Sequence, residues 1–510
     1  MLLSWHVAAQ SRPPTTHVGE EKAVPHHLRD GEEFRLSTRD LVAFGGKLFA
    51  ANWTDQDGGG RPLSKGTGQP LTDRSQSLTG ARAFNRLSGP DANSCQGCHI
   101  GPYQAAGGGG DFVANAFVAA DRFDFVTFER GDTKPTRGTV DEHGRPVTLQ
   151  TVGNSRLTPG LWGAGYLEML ARQMTGDLRR IRDQVQPGQS KALVTKGISF
   201  GTLARRRDGS WETGGVQGLP RPSVATITAS GPSLIVRPWR QSGSVVSLRD
   251  MTNTSFNQHH GIQTTERFGI GTDPDGDGIV NEMTRADVTA VTVWQASLPV
   301  PGRLIPNDPE KERLILAGER LFDEIRCTSC HVPSLPLEKK SWVYSEPNPY
   351  NPPKNLRRGE ARTLEVDLAS SALPQPRLVP AENDPNVILV PAYTDFKLHD
   401  ITDPADPDAA EALDINERPG SPKFAAGNRQ FLTRRLWGVG NQPAHFHHGL
   451  FTSLKQAVLA HAGEALDQRR AFERLTKDAQ DGVIEFLQSM QLLPPGTKSL
   501  VVDEHFRPKT

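Results

Sequence analysis

The chain has four cysteines, and all of them fall in two copies of one pattern, Cys95-Gln-Gly-Cys98-His99 and Cys327-Thr-Ser-Cys330-His331. Thiols three positions apart can each add to a vinyl group on one haem edge. The adjacent imidazole is then carried beneath the macrocycle as the proximal iron ligand. A dithiol redox pair would not need a His after its second Cys twice over. A zinc site built from Cys95, Cys98, Cys327 and Cys330 would leave both histidines unexplained. The spacing therefore predicts two covalently bound c-type haems. Such haems are attached outside the bacterial inner membrane, so it also predicts a periplasmic protein. Residues Met1 to Gln10 have no basic leader and too short an apolar run for a complete signal peptide. Val7-Ala8-Ala9 reads as the tail of a truncated one, with Ser11 to about His27 as a flexible mature terminus. N-terminal sequencing of the exported protein tests this, and a mature start at Met1 would count against it.

A haem iron with two protein ligands moves electrons, whereas an open position binds peroxide or oxygen. The sixth ligands therefore decide the chemistry. Residues 332–489 contain no Met, which makes the common His/Met arrangement hard to build at the second site. Ser453 with Gln456 three residues on reads as a capping box. Leu454, Ala457, Val458 and His461 then share one face of the helix it starts. His461 is the expected sixth ligand, the plainer alternative being a satisfied core histidine. His445, His447 and His448 are read as structural. At the first site Met169, Met174, Met251, His259 and His260 are candidates, and spacing sets none of them apart. An open first site would be the catalytic one. Peroxide cleavage there needs a group that moves a proton between the two oxygens, and Glu168 is the candidate, its alternative being a solvent-facing helix Glu.

A further constellation, Asp273-Pro-Asp275-Gly-Asp277-Gly278 followed by Glu282, alternates carboxylates around a glycine turn, as oxygen-rich calcium loops do. Thr284 stands where an EF-hand has its bidentate Glu, so the expected calcium site is not of that type, and Glu282 or Asp287 would close it. Alternatively, Thr284-Arg-Ala-Asp287 caps the following helix.

These residues need a frame. Arg156-Leu-Thr-Pro-Gly-Leu-Trp-Gly-Ala-Gly165 matches Phe431-Leu-Thr-Arg-Arg-Leu-Trp-Gly-Val-Gly440 at six of ten positions, and Gly46-Lys-Leu-Phe49 echoes Gly318-Glu-Arg-Leu-Phe322. Three elements in one order imply an internal duplication. The proline-rich Leu298–Pro309 stretch separates the halves. The expected organisation is a terminus over 1–30, a first haem domain with insertions over 31–300 and a second over 301–510. The expected fold is mainly α with irregular loops, two cytochrome c-like domains carrying small β insertions such as Ser233–Val236 and Ser244–Leu248. In 510 residues, 58 Lys and Arg balance 58 Asp and Glu. That balance supplies no field for nucleic acid or a membrane surface, and no apolar run approaches the ~18 residues of a transmembrane helix. The 50 Gly and 39 Pro foretell many ordered turns.

Over roughly residues 30–495 the chain resembles the di-haem oxidoreductase family, relatives of the bacterial di-haem cytochrome c peroxidases and of the enzymes that mature methylamine dehydrogenase. The resemblance rests on Phe84-Asn-Arg, Ser94-Cys-Gln-Gly-Cys-His99, Leu161–Glu168, Asp273–Gly278 with Thr284-Arg-Ala-Asp-Val-Thr, Leu298-Pro-Val-Pro-Gly302 and His447 to His461. It implies hydrogen peroxide reduction at the N-terminal haem, with electrons relayed through the C-terminal haem and tryptophans as a relay between them. The donor would be a small redox protein or a quinol-linked chain. His461 stands where those peroxidases usually carry Met, which implies a bis-His, lower-potential haem. Two other functions fit the same cofactors: a haem-dependent oxygenase with an apolar distal pocket, and a non-enzymatic electron carrier with both haems six-coordinate.

Overall fold

The computed structural model describes residues 18–59, 94–103, 116–118, 153–226, 230–273, 277–406, 409–411, 413–418, 421–442 and 444–509. The helices that frame the two Cys-x-x-Cys-His segments are, in chain order, α1 (Thr38–Ala50), α2 (Cys95–Cys98), α3 (Ala164–Asp183), α4 (Leu248–Ser255), α5 (Arg285–Ala296), α6 (Pro309–Glu324), α7 (Leu454–Leu459) and α8 (Lys477–Ser489).

One set of contacts occurs twice. In the first half α1, capped by Ser37, buries Leu41, Gly45, Leu48 and Phe49 on one stripe and crosses α5. A Cβ at Gly45 would run into the Ala290 carbonyl. In the second half α6, capped by Asp308, crosses α8 in the same way, with Gly318 against the Gly482 carbonyl. The structural partner of Gly318 is thus Gly45, one residue before the glycine that the sequence match suggests. Phe49 packs on Trp294 at 4.4 Å, and Phe322 on Phe486 at 5.4 Å. Gly165 abuts the Ala296 carbonyl, and Gly440 the Gln488 carbonyl.

The repeated Leu-Trp-Gly segments meet each other. Gly163 and Gly438 both take positive φ, 66° and 80°, and a Cβ on either would strike a tryptophan ring: Trp437 at Gly163, and Trp162 at Gly438. Each ring therefore sits on the other segment's glycine. Both requirements, a left-handed backbone and a missing side chain, select Gly. The Trp162 indole N–H also donates to the Trp437 carbonyl at 3.2 Å.

A third repeat escaped the sequence reading. The bridge between Trp239 and Val245 has its counterpart between His445 and Phe451. Arg240 and Phe446 both have positive φ, as do Gly243 and Gly449. Ser247 then caps α4 and Ser453 caps α7.

The expectation of a mainly α fold is corrected. Six small sheets of two or three strands are present among the described residues, in both halves. In the second half Leu335–Glu338 pairs antiparallel with Val387–Val390, and Val343–Glu346 with Leu364–Asp367. These strands are short apolar runs that alternate in burial and pair across long loops. Local periodicity could not announce them. The first half holds a three-stranded meander, Ser190–Thr195, Ile198–Arg205 and Trp211–Glu212.

The main core is shared: Leu41, Trp162, Tyr166 and Phe200 from the first half cluster with Tyr344, Leu368, Trp437 and Leu492 from the second. Two smaller clusters flank the haem motifs, one around Phe49, Trp53 and Phe256 and one around Phe322, Phe472 and Phe486. Among the described residues, no helix is long and apolar enough to cross a membrane.

Candidate functional site

At the end of α6 the chain folds back through Arg326, at φ 64°, into a 3-10 turn over Cys327–Ser329. The His331 amide bonds the Cys327 carbonyl at 3.0 Å, which sets the imidazole 6.2 Å from the Phe322 ring. His331 Nδ1 donates to the Tyr393 carbonyl at 3.2 Å. His461, just beyond α7, donates from Nδ1 to the Ala457 carbonyl at 2.7 Å. In both rings this leaves Nε2 with the lone pair, the tautomer a metal takes. The expected capping box is present at Ser453 and Gln456.

The two rings have centroids 6.4 Å apart and border one cavity of about 210 Å³, lined mostly by apolar side chains. With metal–nitrogen bonds of about 2.0 Å and a nitrogen-to-centroid distance of about 1.1 Å, two imidazoles on opposite sides of one metal would stand about 6.2 Å apart. The span fits a single iron. Burial, then the proximity of His461, pushes the His331 imidazole down to about 4, and burial lowers His461 as well. Both are neutral bases at neutral pH. His445 and His447 also line the cavity. His447 lies flat on Phe431 at 3.7 Å, and His448 Nδ1 accepts the Leu450 amide at 3.0 Å.

At the first site Ser94 caps α2, and the His99 amide bonds the Cys95 carbonyl at 3.0 Å. Phe49 lies 5.7 Å from the His99 ring, the counterpart of Phe322 beside His331 at 6.2 Å. Met169 and Met174 are buried in the core along α3, and Met251 lines the cavity of the second site. His260 ends a π-helical turn that prolongs α4, with Nε2 3.2 Å from Cys95 Sγ. The structure thus sets His260, among the named candidates, against the first motif. The four cysteines form no disulfide.

Glu168, the expected acid–base group, is fully buried and occupied. Its carboxylate pairs with Arg172 and accepts from the Leu248 amide at 2.6 Å and the Asn348 side chain at 2.8 Å. It is an anchor for the start of α4 rather than a group free to shuttle a proton. The carboxylates of the acidic loop also turn to local amides. Asp273 accepts from Asp277 and Gly278, Asp277 from Ile279, and the buried Glu282 from Gln263 at 2.6 Å. Asp275 lies outside the described residues. Asp287 forms the capping box with Thr284 and also holds the Leu28 amide, which is the helix-cap alternative.

Sequence reasoning missed His399. Its Nε2 lies 2.8 Å from Asp395 and its Nδ1 2.8 Å from Glu464, next to Cys330. Burial opposes charge there, but the Asp395 hydrogen bond and the neighbouring Cys330 raise the imidazole to about 11. Asp395 and His399 are four residues apart, but Cys330 and Glu464 lie more than sixty residues from His399 on either side, so the cluster as a whole carries no local sequence signal.

Residues 370–490 match the family described as di-haem oxidoreductase, putative peroxidase. This segment contains His399, the second Leu-Trp-Gly repeat, α7 and His461. No curated protein matches the chain. A solved structure of Kuenenia stuttgartiensis hydrazine synthase, pressurised with xenon, aligns with 94% of this chain and 100% of its own at 11% identity and a TM-score of 0.32, too low to transfer fold or activity.

Proposed function

We propose, from the match of residues 370–490 to the di-haem oxidoreductases, that this protein is a periplasmic c-type di-haem oxidoreductase. In this reading it reduces hydrogen peroxide at the first site with electrons that enter at the second. The observation that carries it is the pair of neutral imidazoles, His331 and His461, spaced across one apolar cavity beside Cys327 and Cys330. Cys327 and Cys330 would hold the second haem, with His331 and His461 on its iron, and Cys95, Cys98 and His99 would hold the first. Each haem, when bound, supplies an iron that changes oxidation state by one electron. The protein's part is positioning. The Tyr393 and Ala457 carbonyls fix the tautomers, Phe49 and Phe322 shield the proximal rings, and the seam between the halves carries the Trp162–Trp437 contact where a relay would run. The donor is a small redox protein or a quinol-linked chain.

Two placements favour other readings. Glu168, locked in an ion pair with Arg172 and two further hydrogen bonds, removes the acid–base group a peroxidase needs and favours a haem-dependent oxygenase. His260 beside Cys95 favours an electron carrier whose haems are both six-coordinate. Low-temperature electron paramagnetic resonance of the oxidised holoprotein, with and without peroxide, separates them. A high-spin ferric signal lost on peroxide addition supports the peroxidase. Two low-spin ferric signals unmoved by peroxide, with the ferric signal left after one-electron reduction also low-spin and unmoved, overturn it. A high-spin ferric signal unmoved by peroxide, together with an optical spectrum of the reduced protein that changes on oxygen addition, points to the oxygenase.

A further inference from the structure

The segment Thr433-Arg434-Arg435-Leu436 precedes the second tryptophan repeat and is fixed at both ends. The Thr433 amide bonds the Lys397 carbonyl at 2.9 Å, and the Leu436 amide bonds the Ala392 carbonyl at 3.1 Å. Both arginines line the cavity bounded by His331 and His461. Arg434 donates to the Gln442 side chain at 3.1 Å. Arg435 lies over the Trp239 ring at 5.9 Å, and its Nη2 is buried with no hydrogen-bond partner. Neither arginine is paired with a carboxylate among the described residues, in contrast to Arg156, Arg172 and Arg249, whose guanidinium groups all meet glutamates.

Two consecutive arginines that are half-buried and un-neutralised, one with a buried Nη2 left unpartnered, are unfavourable unless an anion joins them. Burial and mutual repulsion lower Arg435 to about 9 and burial lowers Arg434 to about 10, still cationic at neutral pH. The missing partner must be anionic and must enter a cavity lined mostly by apolar residues. A flat apolar body that ends in two carboxylates has that shape, and guanidinium is the side chain best matched to carboxylate.

We propose that Arg434 and Arg435 bind the propionate carboxylates of the haem attached at Cys327 and Cys330. This rests on the haem reading above and extends it to residues that the motif does not name. The first half has Pro159 and Gly160 at the matching positions before Trp162, so the pair belongs to the second site alone. The arginines would act through the propionates, as positioning residues. Two fixed positive charges at the rim favour the reduced iron, which carries one positive charge fewer than the oxidised form.

The test is a spectroelectrochemical titration of the intact holoprotein as wild type, R434Q, R435Q, the double Gln variant and the double Lys variant. Haem content is measured first by pyridine haemochrome. Two covalent haems with a low-spin signal lost in His461→Ala uphold the haem reading; fewer than two overturn that reading itself. Given two haems, the low-spin haem's midpoint should fall in each Gln variant and further in the double one. The other haem should stay in place, and the Lys variant should recover part of the shift. A midpoint unmoved in a double variant that keeps both haems overturns the clamp. If the midpoint stays fixed and acetate or succinate protects the wild type but not the variants from thermal unfolding, the pair serves a small carboxylate ligand and the clamp again fails.

Discussion

His461 sits at the hinge between electron transfer and ligand binding. With its Nδ1 tied to Ala457, the ring cannot tumble away once Nε2 is engaged. His461→Ala should convert the low-spin signal of the second haem to a high-spin one that binds added imidazole, as read by electron paramagnetic resonance and the Soret band. His445→Ala, at a backbone bridge in the same cavity wall, should leave that signal low-spin. Glu168→Gln should act on stability instead of chemistry. Removing one member of a buried ion pair costs about 3–5 kcal/mol, seen in denaturant unfolding, while turnover per folded molecule with peroxide should stay within about twofold. At this scale the sequence was most informative where chemistry imposes spacing. The Ser453–Gln456 box could be read directly, because capping fixes local distances, and the two Cys-x-x-Cys-His segments stood out by their spacing alone. Glu168 was misread because its partners, Leu248 and Asn348, come from distant segments that no local pattern links.

Helix crossings and the strand Val343–Glu346 set the next scale. A methyl group at Gly45 or Gly318 would meet backbone carbonyl, which cannot yield as a side chain does. Gly45→Ala and Gly318→Ala should each destabilise by about 1–3 kcal/mol, with the larger loss of haem signal in the half that carries the change. The end of that strand brings Glu346 into a buried cluster with Arg249, Arg172 and Tyr344. Desolvation, partly offset by Arg249 and reinforced by Glu168, raises Glu346 to about 7. A carboxyl whose folded value lies above its unfolded one holds its proton more tightly in the folded state. Its contribution is complete below about pH 4.5 and is lost as pH rises through about 7. Glu346→Gln should therefore flatten that part of the stability–pH curve in thermal unfolding scans between pH 4.5 and 8. The tryptophan repeat was visible in the sequence because six residues are shared. The Trp239–Leu248 and His445–Leu454 turns share only a Gly, a Ser and a Leu at matching places, too few to stand out until their backbone angles and caps were compared.

For the molecule as a whole, the two halves have separate haem segments and one main core. Tyr166 reaches from α3 to the Leu368 carbonyl at 2.7 Å, and Ser247 to Asn351 at 2.5 Å, so strands of the second half wall in helices of the first. A fragment of residues 301–510 should expose Tyr344, Leu368 and Trp437. It should show no cooperative unfolding transition by circular dichroism and should bind a hydrophobic dye, whereas the full chain should unfold cooperatively. The duplicated plan could be read from the sequence, but the shared core could not, because it is assembled from loop strands whose partners lie far apart along the chain.

The exchanged tryptophans have a consequence for ancestry. A contact in which residue i of one unit meets residue j of the other, and j meets i in return, is the signature of an isologous interface, the kind formed by two identical subunits in a cyclic dimer. Trp162 on Gly438 and Trp437 on Gly163 preserve that reciprocity inside one polypeptide. The two halves therefore meet across a seam with the reciprocity of a homodimer of subunits that each carry one Cys-x-x-Cys-His segment. Once joined, each copy was released from having to match the other, and Pro159-Gly160 opposite Arg434-Arg435 is where that freedom was used.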